Sequence, residues 1–486
     1  MTDIVLINPG DRKQVFQQLG KDVSAIEPPF WVAVLASYLR KKGFVPAIID
    51  ANAENISPGE TARLVGEYKP LLAAVIVYGS QPSASTQNMT VAGRICSALK
   101  KNTAAKVAIG GLHPSALPAK TLKEEDVDFV IDGEGPQTLE SLIEHLKEGN
   151  DDYRDVKGLW WHDHDHITHT ERYPVIKDLD AVLPAAAWDL LPMETYRAHN
   201  WHCFDDIDNR RPYGALYTSL GCPYNCSFCC INAPFGKPGI RSRGPAPVLE
   251  EIQRLVEKYR VRNLKIVDEL FILNETHYLP ILEGIIRKGF DLNIWAYARV
   301  DTIKFANLPV MKKAGLNWLA LGIESANPGI RGGVSKQIRK ADIETCVARI
   351  KEAGIHIIGN YIFGLPGDTL ETMRETLDLA LKLNCEFVNF YCAMAYPGSQ
   401  LYGIALREGW ELPGEWHGYS QHAYETLPLP TKYLPAKAVL QFRDEAFQEY
   451  FRHPDYLDMI TNVFGERIKR HIREITEKKL RRKLLE

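Results

Sequence analysis

The chain has 486 residues, which at roughly 150 residues per domain predicts two to four domains. Hydrophobic residues at 45% and charged residues at 24% match a globular protein, and 35 Gly with 29 Pro are too few for a low-complexity chain, so disorder, collagen and coiled coil are excluded as global descriptions. Lys and Arg number 58 against 61 Asp and Glu, a formal charge of −3 that gives no overall positive field to hold a nucleic-acid backbone.

The longest clean apolar stretch, Leu71 to Tyr78, is far short of the ~20 residues of a membrane span. Met1-Thr2-Asp3 and the short run after it lack the basic start, long apolar core and cleavage site of a signal peptide, so a cytoplasmic protein is expected. Nine cysteines, an odd number with three clustered, point to thiols kept reduced for a metal or cluster rather than to a disulfide framework.

Over residues 1–150 the apolar runs Ile4 to Ile7, Val45 to Ile49, Ala73 to Tyr78, Val107 to Ile109 and Phe129 to Ile131 alternate with helix-length amphipathic segments. That alternation predicts an α/β domain of flavodoxin-like (Rossmann-type) form, with five parallel strands and helices on both faces. Ligands of such sheets sit beyond the carboxyl ends of the strands. The residues there are Asn8-Pro9-Gly10, Asp50-Ala51-Asn52, Tyr78-Gly79-Ser80-Gln81-Pro82-Ser83, Gly110-Gly111-Leu112-His113-Pro114 and Asp132-Gly133-Glu134-Gly135. Small residues admit a bulky ligand and Ser and Gln add donors, although each loop alone also reads as an ordinary turn. On Pro28-Pro29, Gly43, Asp50, Gly110-Gly111, His113-Pro114 and Gly133-Glu134-Gly135 the segment resembles the cobalamin-binding domain at the front of many cobalamin-dependent radical enzymes. The D-x-H-x-x-G signature that places a histidine under cobalt is absent, since the first loop reads Asn8-Pro9-Gly10-Asp11. The resemblance therefore implies cobalamin without that ligand. His113 reads as a turn histidine that packs or hydrogen-bonds locally or, with lower weight, as a cobalt ligand.

Residues 151–205 form a connector with one hairpin, whose His162, His164 and His166 read as a polar hairpin tip or, with lower weight, a zinc site. Residues 206–401 open with an expected strand, Gly214 to Leu220, followed by Cys222-Pro223-Tyr224-Asn225-Cys226-Ser227-Phe228-Cys229. Three thiolates at C-x3-C-x2-C spacing on one loop can hold three irons of a cubane and leave the fourth open for chemistry. The spacing is the signature of the radical S-adenosylmethionine superfamily, and the chain is identified as resembling it. The resemblance implies a [4Fe-4S] cluster on Cys222, Cys226 and Cys229, S-adenosylmethionine on the open iron, and Phe228 near the adenine.

Five further apolar runs, each after an amphipathic helix, predict with the first strand a partial (β/α)6 barrel whose site lies at the strand carboxyl ends. There Gly322-Ile323-Glu324-Ser325 resembles the family's GxES element, which implies that Glu324 and Ser325 hold the amino group or ribose of S-adenosylmethionine. Gly364-Leu365-Pro366-Gly367-Asp368 resembles its GLPGE loop. Arg299 reads either as a partner for the methionyl carboxylate or as a bridge between strands, and Lys336 as a solvated lysine. Residues 402–486 read as a helical cap, with Tyr419, Gln421 and His422 as candidate substrate contacts or packing residues. The whole resemblance implies a cobalamin-dependent radical methyltransferase acting on a small molecule, with an external one-electron reductant such as flavodoxin or ferredoxin. The alternatives are a non-methylating ending to the same initiation, and an iron-sulfur electron relay. Nucleic acid is not an expected partner.

Overall fold

The computed structural model describes residues 2–79, 81–336 and 338–486. Five parallel strands, β1 (Ile4–Asn8), β2 (Pro46–Asp50), β3 (Leu72–Val77), β4 (Lys106–Gly111) and β5 (Phe129–Ile131), lie in the order β2-β1-β3-β4-β5. The connector supplies an antiparallel hairpin, β6 (Leu159–Asp163) and β7 (His166–His169), which pairs with β5 and extends the sheet to seven strands, two more than expected. In β1 the two-residue period of a strand sends Ile4 and Leu6 to one face and Val5 and Ile7 to the other. The first face belongs to a core continuous with the barrel, and the second packs under helices Pro58–Tyr68 and Met89–Asn102. Strand order reverses between β1 and β3, so the crevice of this sheet opens at the ends of those two strands.

The second sheet has six parallel strands in chain order: β8 (Tyr213–Leu216), β11 (Asn263–Ile266), β12 (Asn293–Arg299), β13 (Leu316–Glu324), β14 (His356–Phe363) and β15 (Phe387–Cys392). Helices between them make it the open (β/α)6 barrel predicted from the runs. The strand expected over 214–220 is broken. Its second part is β9 (Ser219–Leu220), which turns away to pair antiparallel with β10 (Arg241–Ser242). The break has a local cause: the fully buried Asp268 carboxylate accepts the Thr218 amide and hydroxyl and the Ser219 hydroxyl, each at 2.6 Å, so Thr218 leaves the ladder.

Helices Ala436–Arg452, Pro454–Phe464 and Glu466–Glu477 close the barrel beside β15. The Tyr450 and Tyr456 hydroxyls donate to the Cys385 and Glu386 carbonyls at 2.6 and 3.1 Å. The loop before these helices clamps the first domain: Gln17 Nε2 donates to the His422 carbonyl at 2.8 Å, the Ser420 hydroxyl to the Val15 carbonyl at 2.7 Å, and the Trp416 ring meets His113 edge-on at 4.4 Å. No helix among the described residues is long and apolar enough to cross a membrane.

Candidate active site

The short β9–β10 ribbon pins both ends of the cysteine loop. Gly221 enters it at φ +86°, and a Cβ there would stand 2.5 Å from the Gly239 carbonyl, so only glycine fits the turn. The Gly239 amide donates to the Cys222 carbonyl at 3.0 Å, and Ser227 is held through its amide by the Val334 carbonyl (3.3 Å) and through its carbonyl by the Leu401 amide (2.9 Å). No cysteine is in a disulfide, and exposure sorts them: Cys222, Cys226 and Cys229 are part-exposed, while Cys96, Cys203, Cys230, Cys346, Cys385 and Cys392 are buried. Among the described residues no three donors already converge on the radius of a single ion. A cubane is wider than one ion, and three accessible thiols spread over one loop are the donor set it takes. Burial pushes the Cys222 thiol up to about 11, so thiolate forms there only with a cation or cluster to stabilise it.

The side chains expected around the cluster lie close by, several already engaged. The Arg299 guanidinium stacks 3.9 Å over the Tyr224 ring within the cysteine loop and makes a bidentate pair with Asp301 at 2.9 and 3.0 Å. Glu324, at φ +64°, pairs with Lys336 at 2.5 Å, both side chains buried, which places Lys336 inside the protein and not in solvent. A Cβ at Gly322 would stand 2.4 Å from Lys336 Nζ and 2.6 Å from Glu324 Oε1, so the glycine of this element makes room for the ion pair. The buried Ser325 hydroxyl lies 3.1 Å from that of Thr376 and accepts the Asn327 amide at 3.2 Å, an internal role. Phe228 packs on two small apolar groups, one with Leu365 and one with Leu401. Gly364, at φ +79°, lies under Val439 of the cap, and the Pro366 carbonyl accepts the Lys432 amide at 3.0 Å, so this loop docks the cap. Asp368 accepts the Leu365 amide and the Thr372 hydroxyl at 2.9 and 2.7 Å.

A cavity of about 300 Å³ joins the two sheets. From the first domain Asn8, Pro9, Tyr78, Gln81 and Ser83 line it, all from the ends of β1 and β3. They offer amides and a hydroxyl beside small residues, a donor set suited to a ligand fringed with carboxamides. Ser80 lies outside the described residues. The residues expected from β4 and β5 stand elsewhere, as the strand order requires. A Cβ at Gly110 would meet Ile131 at 3.1 Å, and one at Gly111, φ +135°, would collide with the Val77 carbonyl at 2.2 Å; both are packing glycines. The His113 ring is buried against Trp416, lies 3.2 Å from the Thr86 hydroxyl, and burial holds it neutral with its pKa near about 3. Glu134 pairs with Arg241 at 2.8 and 3.0 Å and accepts the Ile176 amide at 2.7 Å, and Gly135 begins helix Pro136–Glu148.

From the barrel Lys265, Trp295, Tyr297, Asn360, Asn389 and Tyr391 line the same cavity. Lys265 pairs with Glu27 of the first domain at 3.1 Å and lies 4.6 Å over the Trp295 ring. Its signal was a lysine inside an otherwise apolar run. Glu269, next to Asp268, is pushed up to about 8 by burial and the neighbouring acid, with Lys265 opposing.

Fold and site define a radical enzyme of two cofactor-holding domains. A family model described as the radical SAM superfamily matches residues 216–380, and one described as a B12 binding domain matches residues 19–143. The chain carries in order the two domains of the cobalamin-dependent radical S-adenosylmethionine enzymes, whose cofactors are a [4Fe-4S] cluster, S-adenosylmethionine and cobalamin. It is 29% identical over 457 residues to an uncharacterized methyltransferase of Pyrococcus horikoshii, covering 93% of this chain and 94% of that one. It is 26% identical over 440 residues to an anaerobic magnesium-protoporphyrin IX monomethyl ester cyclase of Cereibacter sphaeroides, covering 89% and 67%. The radical S-adenosylmethionine methyltransferase TsrM of Kitasatospora setae, solved with cobalamin and a [4Fe-4S] cluster, shares the fold at TM-score 0.69 and 17% identity, over 98% of this chain and 100% of that one.

Proposed function

We propose that this protein methylates an unactivated carbon of a small molecule. The observation that carries the reading is that one cavity is lined both by the switch-point loops of the first domain and by the interior of the barrel, which puts a substrate within reach of both cofactor domains. When bound, the cluster and S-adenosylmethionine supply a 5′-deoxyadenosyl radical and cobalamin supplies a methyl group.

The chain's own part is to hold, orient and exclude water. Cys222, Cys226 and Cys229 are the thiols that would hold the cluster, on a loop fixed by Asp268 and Gly221. Arg299 and the Glu324–Lys336 pair stand beside that loop as the charged groups for the amino-acid end of S-adenosylmethionine. Asn8, Gln81 and Ser83 would meet the corrin, and the rings of Trp295, Tyr297 and Tyr391 keep the chamber apolar, which protects a reactive carbon centre from water. We place the protein in the cytoplasm with a flavodoxin or ferredoxin as electron donor, in keeping with cysteines that are all free.

The cyclase of Cereibacter sphaeroides, similar over 89% of the chain, favours one second reading, the same initiation with a cyclising or oxidising end. Anaerobic reconstitution with iron, sulfide and cobalamin tests the proposal by optical spectrum and by mass analysis of products. Corrin uptake, 5′-deoxyadenosine and a product gain of one methylene are expected. 5′-Deoxyadenosine with loss of hydrogen or gain of oxygen in the product favours the second reading, and a full cluster in a Cys222/Cys226/Cys229→Ala variant overturns the ligand assignment.

A further inference from the structure

Arg443 and Arg482, 7% and 2% exposed, share the single carboxylate of Asp444. Arg482 donates to it through Nε and Nη2, both at 2.9 Å, and places Nη1 on the Ala423 carbonyl and the Thr426 hydroxyl. Arg443 donates through Nη1 to Asp444 at 2.7 Å and through Nε to the Phe390 carbonyl at 2.8 Å, and its Nη2 has no partner among the described residues. Two buried guanidinium ions against one carboxylate leave one positive charge uncompensated, a costly arrangement in a low-dielectric interior unless an anion completes it.

This excess charge faces open space. Arg443 lines the cavity between the two domains and also a second cavity of about 420 Å³ under the cap, and Leu19, His422, Phe447 and Ile475 are common to both. The His422 ring packs on Phe16 and makes no hydrogen bond among the described residues, and burial first, then the two guanidinium ions, hold it neutral against the opposing Asp444. A neutral imidazole retains one N–H to donate. Asp444, Glu445, Lys478 and Lys479 also line the second cavity, with the Asp444 carboxylate occupied by the two guanidinium ions and Glu445 accepting from Gln441 at 2.8 Å.

We propose that the wall shared by the two cavities is the subsite for an oxyanion of the substrate, a carboxylate or a phosphate, held by Arg443 Nη2 and the His422 ring. The substrate is then an amphipathic molecule with its anionic end at the cap and its apolar body among the barrel aromatics. The inference rests on the proposed function in taking this chamber as the substrate's place.

Calorimetric titration of the reconstituted full-length protein with 3-phenylpropionate, phenyl phosphate and the uncharged 3-phenylpropionamide tests it. One charge-assisted contact gives an acid-to-amide preference of about tenfold or more, and the better of the two acids identifies the oxyanion. The preference falls towards one in Arg443→Gln, falls several-fold in His422→Phe, which removes no hydrogen bond of the fold, and persists in Arg481→Gln on the exposed tail. Equal affinities for acids and amide in the parent protein, or a preference untouched in both Arg443→Gln and His422→Phe, overturn the subsite. Production of 5′-deoxyadenosine is read separately. In the parent protein, cleavage of S-adenosylmethionine without any acid preference sinks the subsite alone, whereas an acid preference without cleavage sinks the reaction and leaves the subsite.

Discussion

Lys336 Nζ lies 2.5 Å from Glu324 Oε1, with the two side chains only 6% and 8% exposed, at the carboxyl end of β13 where the barrel places its chemistry. Removing one member of a buried pair strands the other charge. Lys336→Met and Glu324→Gln should therefore each cost about 3–5 kcal/mol, and the double variant much less than their sum. Denaturant midpoints of the four proteins give the coupling. Additive losses would mean that solvent, not the partner, satisfies each group.

The cysteine loop hangs from a different carboxylate. Asp268 takes three bonds from Thr218 and Ser219 just ahead of Gly221, and Asn in its place retains a single acceptor oxygen. Each bond to a carboxylate is worth about 1.5–3 kcal/mol, enough to release the loop. Asp268→Asn should lower the iron retained after reconstitution while corrin uptake by the first domain stays at the parent level. Equal iron content in the variant would show that the β9–β10 ribbon alone positions the cysteines.

The sequence carried the cysteine set because cluster ligands must be local, and it carried the strands because both sheets are buried and their apolar runs are continuous. It marked all five strand ends of the first domain alike. Which of them meet a ligand is decided by strand order, which brings Asn8 and Gln81 to the switch point and sends His113 and Glu134 to the cap and to Arg241. Charged residues were the least legible. Lys336 and Arg443 read as solvated side chains in a local window and Lys265 shows only as a lysine within an apolar run, and it is the fold, through Glu324, Glu27 and Asp444 with Arg482, that reveals them as internal.

Gly364 couples the barrel to the cap. At φ +79° a side chain is strained, and the Cβ would stand 2.4 Å from Val439 Cγ1 in the helix that carries Arg443. Gly364→Ala should combine a left-handed penalty of about 1–2 kcal/mol with overpacking of about 1–3 kcal/mol, felt at the cap. Limited proteolysis is the measurement: cleavage within residues 430–486 should speed up while fragments of the first domain appear at the parent rate. Gly364→Ala with Val439→Ala should recover part of the loss, since the clash disappears and the backbone strain remains.

Asp50 makes the stability of the first domain respond to pH. Its carboxylate ends β2, accepts the Asn8 side chain at 2.8 Å, the Tyr196 hydroxyl at 2.8 Å and the Ala53 amide at 3.0 Å, and burial still raises it to about 6. The unfolded chain has this group near about 3.9. A folded value above the unfolded one means that the fold favours the protonated form, so the contribution is full below pH ~4, declines as pH rises, and is lost above pH ~6. Two units correspond to about 3 kcal/mol. Asp50→Asn cannot ionise, and the other carboxylates cancel in a comparison with the parent. The stability difference, parent minus variant, should therefore fall by about 3 kcal/mol between pH 4 and pH 7 in denaturant titrations. A difference that is flat across that range, or that grows, would mean that the bonds from Asn8, Tyr196 and Ala53 outweigh burial and keep Asp50 ionised throughout.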